Sequence, residues 1–336
     1  MSTDLAPKHL RLSYACDGQD MLTSAEDAVK GDEHACPKCS DQVTLRRGDV
    51  RVAHFAHQPG TNCSPESATH KIAKLLVTQA INLNALGSDQ AITIKTGCEH
   101  CGCSVTRTIP PGTFTGAKEE VAVGNYWVDV AGYNGAKIAL SVEIRHTHAV
   151  GEEKAGSLDG FWVELNAADV IANPFNWTPL ASKLKAILCE PCKKQVKATQ
   201  NVLAQWSLPS DNCSSIFNPE RAKYIASREE CWKCKKIIPV FWWHGVPFAE
   251  DSPPEPRPAT VQYRYSKNYG GKYWANTCPG CKSIQGDNFL FLFDGASLAS
   301  DHLPLRRISG QRGTVNITTG PGAVNSFLDT VLGKYR

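Results

Sequence analysis

Five CxxC pairs run along the chain: "CPKC" (Cys36, Cys39), "CEHC" (Cys98, Cys101), "CEPC" (Cys189, Cys192), "CWKC" (Cys231, Cys234) and "CPGC" (Cys278, Cys281). Two residues between thiolates let a tight turn aim both sulfurs at one tetrahedral ion, and each pair then needs two further ligands. "HFAH", with fourteen residues between it and Cys39, offers His54 and His57 to the first pair, with Cys63 as an alternative to one histidine. "CEHC" and "CEPC" are separated by 87 residues and meet only if the intervening strands bring them together; Cys103 competes for that site. "CWKC" and "CPGC", with 43 residues between them, suit a zinc ribbon with a long insertion. The expectation is about three structural Zn²⁺ sites: Cys36, Cys39, His54 and His57; Cys98, Cys101, Cys189 and Cys192; and Cys231, Cys234, Cys278 and Cys281. Sites closed by four protein ligands hold small modules together and leave no coordination position open for catalysis.

A different chemistry is written into "YWVDVAGYNGAKIALSVEIRH". Asp129 interrupts an apolar strand, and Glu143 and Arg145 follow among Ile138, Leu140, Val142 and Ile144. Strand alternation puts Glu143 and Arg145 on one face, and pairing about Asn134-Gly135 brings Asp129 close to Glu143. A carboxylate among apolar neighbours is costly unless a cation or metal satisfies it. Two of them, with a cation alongside, suit a hard divalent ion. The plainer alternative is a salt bridge from these acids to Arg145 or Lys137. Glu164 in "FWVELNA" is a secondary candidate, and His146 and His148 just beyond the strand are contact candidates.

The elements that must position these groups are legible. "VTLRRGDVRVAHFAH" alternates around Gly48-Asp49 as a hairpin. "SPESATHKIAKLLVTQAINLNAL" is predicted to be a helix, with Ser64 as N-cap, Pro65 in the first turn and an apolar face of Ile72, Leu75, Leu76 and Leu83. "AITIKTGCEHCGCSVTRTI" reads as a hairpin with the CxxC at its tip, and a basic helix follows "CEPC". Fourteen cysteines with no signal-peptide core at the N-terminus point to metal ligation in a reducing compartment, hence a soluble cytoplasmic protein with no membrane span. A net charge of +3 says nothing about nucleic acid; local clusters would have to. Arg46, Arg47 and Arg51 lie near the first site, Lys183, Lys185, Lys193, Lys194 and Lys197 near the second, and Arg306, Arg307 and Arg312 near the C-terminus. Trp232, Trp242 and Trp243 either stack on bases or form the core of a ribbon module.

Together, "CPKCSDQVTLRRGDVRVAHFAH", a later cysteine and "ESATHKIAK" closely resemble the competence protein CoiA-like family over about residues 15–170. The Asp-x₁₃-Glu-x-Arg spacing resembles the PD-(D/E)XK restriction-endonuclease-like core. The resemblance implies an α/β (α+β) fold in which a zinc module precedes a nuclease core with a mixed sheet. With a boundary at the polar stretch "SLPSDNCSSIFNPE", the expected domains are a zinc module at 1–64, the core and an associated zinc site at 65–210, and a zinc-ribbon module at 211–336. It implies Glu66 as the helix glutamate, followed by His70 and Lys74, with Asp129 binding metal and Glu143 opening the E-x-K motif. Arg145 departs from that motif, where the superfamily commonly has Lys and the CoiA-like branch often Gln. Arginine stays protonated at neutral pH and can orient a phosphate but cannot act as a base. The implied activity is Mg²⁺- or Mn²⁺-dependent hydrolysis of DNA, in uptake, recombination or defence. Glu66, His70, Asp129, Glu143 and Arg145 would be catalytic, Asp129 and Glu143 would hold the ion, and Lys74, Arg47, Lys193 and Lys194 would contact DNA. Two other readings are a non-catalytic zinc-dependent nucleic-acid-binding protein with a decayed nuclease core, and an adaptor whose C-terminal ribbon recruits a protein partner.

Overall fold

Short strands joined by tight turns dominate the computed structural model of the chain, a mixed α/β arrangement rich in sheet and with few helices. It describes residues 11–49, 52–146, 156, 158, 160–208 and 212–307. Arg51, His148 and Arg312 lie outside the described residues. The chain divides into two compact units, one running up to Thr96 and including Ser104–Ala186, the other made of Gly97–Cys103 and everything from Ile187. This differs from boundaries at 64 and 210: the first zinc module and the central sheet share one unit, and both halves of the second cysteine site belong to the other.

In the first unit, β1 (Arg11–Leu12), β2 (Tyr14–Cys16), β3 (Leu22–Ser24), β4 (His34–Ala35), β5 (Gln42–Arg46) and β6 (His54–His57) form a sheet of order β1-β6-β5-β4-β2-β3. The predicted hairpin is β5–β6, running from Val43 opposite His57 to Arg46 opposite His54. Helix α1 (Pro65–Ala85) begins where the Ser64 hydroxyl accepts from the Ser67 amide at 3.1 Å, and it ends as Gly87 turns left-handed at φ 77°. Ala68, Ile72, Leu76 and Ile81 on its buried face lie in the core. At roughly 1.5–3 kcal/mol per large apolar side chain, this burial outweighs intrinsic propensity in fixing the helix.

Strands β7 (Ile92–Gly97) and β8 (Ser104–Ile109) are neighbours, as the hairpin reading expects. Next come β9 (Gly116–Val123), β10 (Tyr126–Asn134), β11 (Lys137–Arg145), β12 (Trp162–Asn166), α2 (Ala167–Ala172), β13 (Asn176–Trp177) and β14 (Ala181–Lys183). The central sheet has the order β14-β12-β11-β10-β9; its β11–β12 pair is parallel and its other pairs are antiparallel, so it is mixed. Asn134 pairs with Lys137 across the predicted Asn-Gly turn, with Gly135 at φ 61°. One face of the sheet gives Val130, Leu140, Val142 and Ile144 to the core that holds α1. The sheet is closely covered at Gly132, where a Cβ would meet the Phe114 ring at 3.0 Å and Ile81 of α1 at 3.4 Å.

In the second unit, α3 (Glu190–Gln205) is followed by β15 (Cys213–Ser214), β16 (Tyr224–Glu230) and β17 (Ile237–Trp242) in one sheet, and by the hairpin of β18 (Val261–Ser266) and β19 (Gly271–Asn276). A π-helix spans Asn288–Leu292. Trp242 and Trp243 are buried in an aromatic core with Tyr224 and Phe241, whereas Trp232 is 61% exposed. Two of the three tryptophans considered for base stacking are therefore packing residues. Among the described residues no helix is long and apolar enough to cross a membrane.

Candidate functional site

Four of the five CxxC pairs adopt one and the same turn. The amide of the first cysteine donates to the carbonyl five residues on: Cys36 to Asp41 at 2.8 Å, Cys98 to Cys103 at 2.8 Å, Cys231 to Lys236 at 2.9 Å and Cys278 to Ser283 at 2.8 Å. The residue after the second cysteine returns the bond, from Ser40 to Cys36 at 2.9 Å, Gly102 to Cys98 at 2.8 Å, Lys235 to Cys231 at 2.9 Å and Lys282 to Cys278 at 3.0 Å. Those four residues are left-handed, with φ of 62°, 70°, 61° and 62°. For serine and lysine that backbone costs roughly 1–2 kcal/mol, which a bound ion readily offsets. The fifth pair is built differently: Cys189 caps α3, and the Lys193 amide donates to its carbonyl at 2.9 Å.

The turns gather three donor clusters, each with its ligand atoms within 4.8 Å of one another. A tetrahedral Zn–S bond of ~2.3 Å gives a sulfur–sulfur edge of about 3.8 Å. The observed separations are 3.8 Å for Cys36–Cys63, 3.8 Å for Cys101–Cys189, and 3.6 Å for both Cys231–Cys281 and Cys234–Cys278. These match the edge of a tetrahedral zinc site; a disulfide would lie near 2.05 Å. Although burial raises the Cys231 thiol, the Cys234 amide, the Ser283 hydroxyl and the Lys233 amide bring it down to about 5, into the thiolate form that binds metal.

The first cluster corrects one ligand. It consists of Cys36, Cys39, His57 and Cys63, with His57 Nε2 3.3 Å from the Cys39 sulfur, and it does not include His54. All of "HFAH" is strand β6, and residues three apart in a strand point to opposite faces. His54 instead bonds the Val52 carbonyl through Nδ1 at 3.0 Å. Burial lowers the His57 pKa, favouring the neutral imidazole that a metal requires.

The second cluster has five thiols for four positions. Cys98, Cys101, Cys103 and Cys189 lie mutually within 4.8 Å, while the buried Cys192 thiol reaches Cys189, Cys101 and Cys98. The two tetrads share three members and differ only in the fourth. Cys103→Ser and Cys192→Ser are each expected to keep the full zinc content, and the double variant to lose one zinc per chain, as measured by atomic emission on purified protein. Loss of zinc in either single variant would contradict this redundancy.

A separate charged cleft of about 360 Å³ lies in the first unit, lined by Lys38, Glu66, His70, Lys74, Glu120 and His146 among others. Glu66, His70 and Lys74 share a face of α1 at successive four-residue steps. His70 Nε2 is 3.0 Å from the Ile144 carbonyl oxygen and 3.3 Å from Asp129 Oδ2, and the Ile144 amide donates to Asp129 Oδ2 at 2.8 Å. Lys74 Nζ is 3.7 Å from Asp129 Oδ1 and 2.6 Å from Glu120. Burial pushes the Asp129 carboxyl up, but the bonds from His70 and the Ile144 amide and the charges of His70 and Lys74 more than reverse this, leaving it below the usual range. Glu120 was not foreseen. Between Val121 opposite Val128 and Glu119 opposite Val130, it turns left-handed at φ 51° and meets Lys74. Strained backbone of this kind collects at functional sites.

The expected triad of acids does not form. Among the described residues, the groups of three or more donors within 4.8 Å are the three cysteine clusters, and Glu66, Asp129 and Glu143 are not among them. Glu143 is buried and stands opposite Glu164 in the parallel β11–β12 register. Arg145 lies 3.7 Å from Glu164, and Glu66 lies 3.6 Å from His146. The cation beside Asp129 is therefore Lys74 and not Arg145. With 5% exposure, Lys74 is also too buried to serve as the DNA contact expected of it. Arg47 is exposed but donates to the Ala25 and Glu26 carbonyls, and Lys193 pairs with Glu190 at 2.6 Å, whereas Lys194 and Lys197 are exposed on α3.

These features define a sheet-rich mixed α/β protein with three cysteine clusters compatible with zinc. Residues 21–66, which contain the first cluster and Glu66, match the family model of the competence protein CoiA, N-terminal domain, and so support a CoiA-like family assignment. No curated protein and no solved structure matches the chain.

Proposed function

We propose that the chain is a divalent-metal-dependent nuclease that cuts DNA, in a competence-related role suggested by its CoiA N-terminal domain. The observation that carries this reading is that the His70 imidazole nitrogen stands 3.0 Å from the Ile144 carbonyl oxygen and 3.3 Å from an Asp129 carboxylate oxygen. Such a mixed oxygen and nitrogen set fits Mn²⁺ or Mg²⁺ better than it fits a thiolate-seeking ion. Asp129, the Ile144 carbonyl and His70 would hold the ion, which when bound would supply Lewis-acid activation of water and of a phosphate oxygen. The His70 bond, the Ile144 amide and the Lys74 charge together favour the ionised form of Asp129. Exposed Lys38, from the first CxxC turn, stands at the cleft as a cation for the scissile phosphate and ties the zinc module to the site. The mixed sheet behind a Glu-bearing helix supports a restriction-endonuclease-like core, in which Glu143 and Arg145 would buttress β11 through Glu164 and not take part in chemistry.

Purified zinc-loaded protein should nick plasmid or single-stranded DNA with Mn²⁺. Asp129→Asn should remove that activity, by about a thousandfold, in a protein that stays folded with a somewhat lower Tm, since the Asn carbonyl can still accept from the Ile144 amide while the charge pairing with Lys74 is lost. Arg145, which stands where the motif has Lys and lies 3.7 Å from Glu164, favours one second reading, a DNA-binding protein with a decayed core. DNA binding that survives EDTA, without cleavage under any divalent metal, would decide for it.

A further inference from the structure

The second unit contains a cavity of about 1100 Å³ that neither the zinc clusters nor the nuclease reading uses. Its wall is aromatic: Trp232, Phe248, Tyr265, Tyr269, Tyr273 and Phe289 all contribute. Phe248 and Tyr269 stack with ring centres 4.9 Å apart, and Tyr273 meets each of them edge-on at 5.2 Å. Tyr265 and Phe289 remain 59% and 69% exposed. Large rings left open to water in one concavity mark a binding surface more often than a packing defect.

Asp287, just ahead of the π-helix, forms part of the same wall and is 0% exposed. Its Oδ2 accepts from the Phe248 amide at 2.6 Å, while its Oδ1 has no hydrogen-bond partner among the described residues. Burial raises the carboxyl to about 7, against the pull of the Phe248 amide and of Arg306. An acceptor buried without a donor is destabilising, and the deficit disappears if a ligand supplies the donor. Around the opening, Glu229, Glu230 and Asp294 outnumber Lys235 and Lys267, and Lys235 is already 3.3 Å from Glu230.

We propose that this cavity binds an organic cation, an alkylammonium or guanidinium group, which lies against the aromatic faces and donates to Asp287 Oδ1. Ring faces attract such cations, the buried carboxylate supplies an acceptor, and the acidic rim disfavours the phosphates that a nucleotide would bring. The same chemistry is offered by a free polyamine and by a Lys or Arg side chain of a basic peptide. The proposal stands independently of the nuclease reading.

The test is calorimetric titration of the zinc-loaded full chain at pH 8 with spermidine, with a short Lys/Arg-rich peptide and with a single-stranded oligonucleotide. Saturable one-to-one binding of spermidine or the peptide is expected, and the tighter of the two identifies the source. Asp287→Asn, which can still accept from the Phe248 amide, should weaken that binding by roughly ten- to a hundredfold. Tyr265→Ala, at an exposed position, should weaken it about fivefold and decides the question if the Asn variant fails to fold. Absence of saturable binding by either cation, unchanged affinity in a folded Asp287→Asn, or preferential binding of the oligonucleotide would overturn the proposal.

Discussion

Cys231→Ser is expected to unfold the second unit's aromatic module. Cys231 is fully buried, 3.6 Å from Cys281, and its amide anchors the CxxC turn through Lys236. Cys231 and Cys278 belong to the same buried core as Trp243, Tyr224 and Phe241, so a metal bound there and the apolar packing would hold the same backbone. A four-coordinate structural zinc is worth on the order of 10 kcal/mol of apparent folding energy, comparable to the whole stability of a domain of ordinary size. Serine is a poor zinc ligand and cannot retain that coupling. The loss should register as missing near-ultraviolet circular dichroism from the buried tryptophans and as one fewer zinc per chain. A folded variant with unchanged zinc content would remove the structural role assigned to this cluster.

Lys74→Met should cost about 1 kcal/mol and shift acid unfolding toward neutrality. The Lys74 side chain is 6% exposed and sits between Asp129 and Glu120, so its removal takes a buried cation from Asp129, which keeps its bonds to His70 and the Ile144 amide. Because the Asp129 carboxyl is held below its ordinary value in the folded state, it contributes stability at pH values above the ordinary carboxylate range. That contribution is lost as pH falls through the depressed folded value. Without Lys74 the depression shrinks, so the stability above that range falls and the acid limb of the transition moves upward. Urea titrations at several pH values measure both effects. A wild-type acid limb in the variant would mean that Lys74 does not act on Asp129.

The parts legible from sequence were those set by local chemistry. Ser64 and Pro65 announce the start of α1, and Asn134-Gly135 fixes the β10–β11 register that brings Asp129 to Ile144. The CxxC spacing announces the thiolate pairs because the turn itself aims both sulfurs. Pairings between distant segments were harder. The choice of Cys63 over His54 follows from β6 being a strand through both histidines, a consequence of alternation available in "HFAH" once the whole tetrapeptide is read as strand. Cys103 and Cys192 compete because one lies in a turn and the other on a helix, and spacing cannot rank them. Glu120 had no sequence signal at all. Its part in the cleft depends on a left-handed residue interrupting a strand, which glutamate does not advertise. Asp287 is similar, since the cavity wall it shares is assembled from four segments distant in sequence.

The most direct test of the central claim is Mn²⁺ binding, followed by electron paramagnetic resonance on zinc-loaded wild-type protein and on Asp129→Asn and His70→Ala. The account predicts one saturable Mn²⁺ site in the wild type, lost in both variants while the zinc content stays the same. Wild-type protein that binds no Mn²⁺, or Asp129→Asn that binds it as the wild type does, would contradict it.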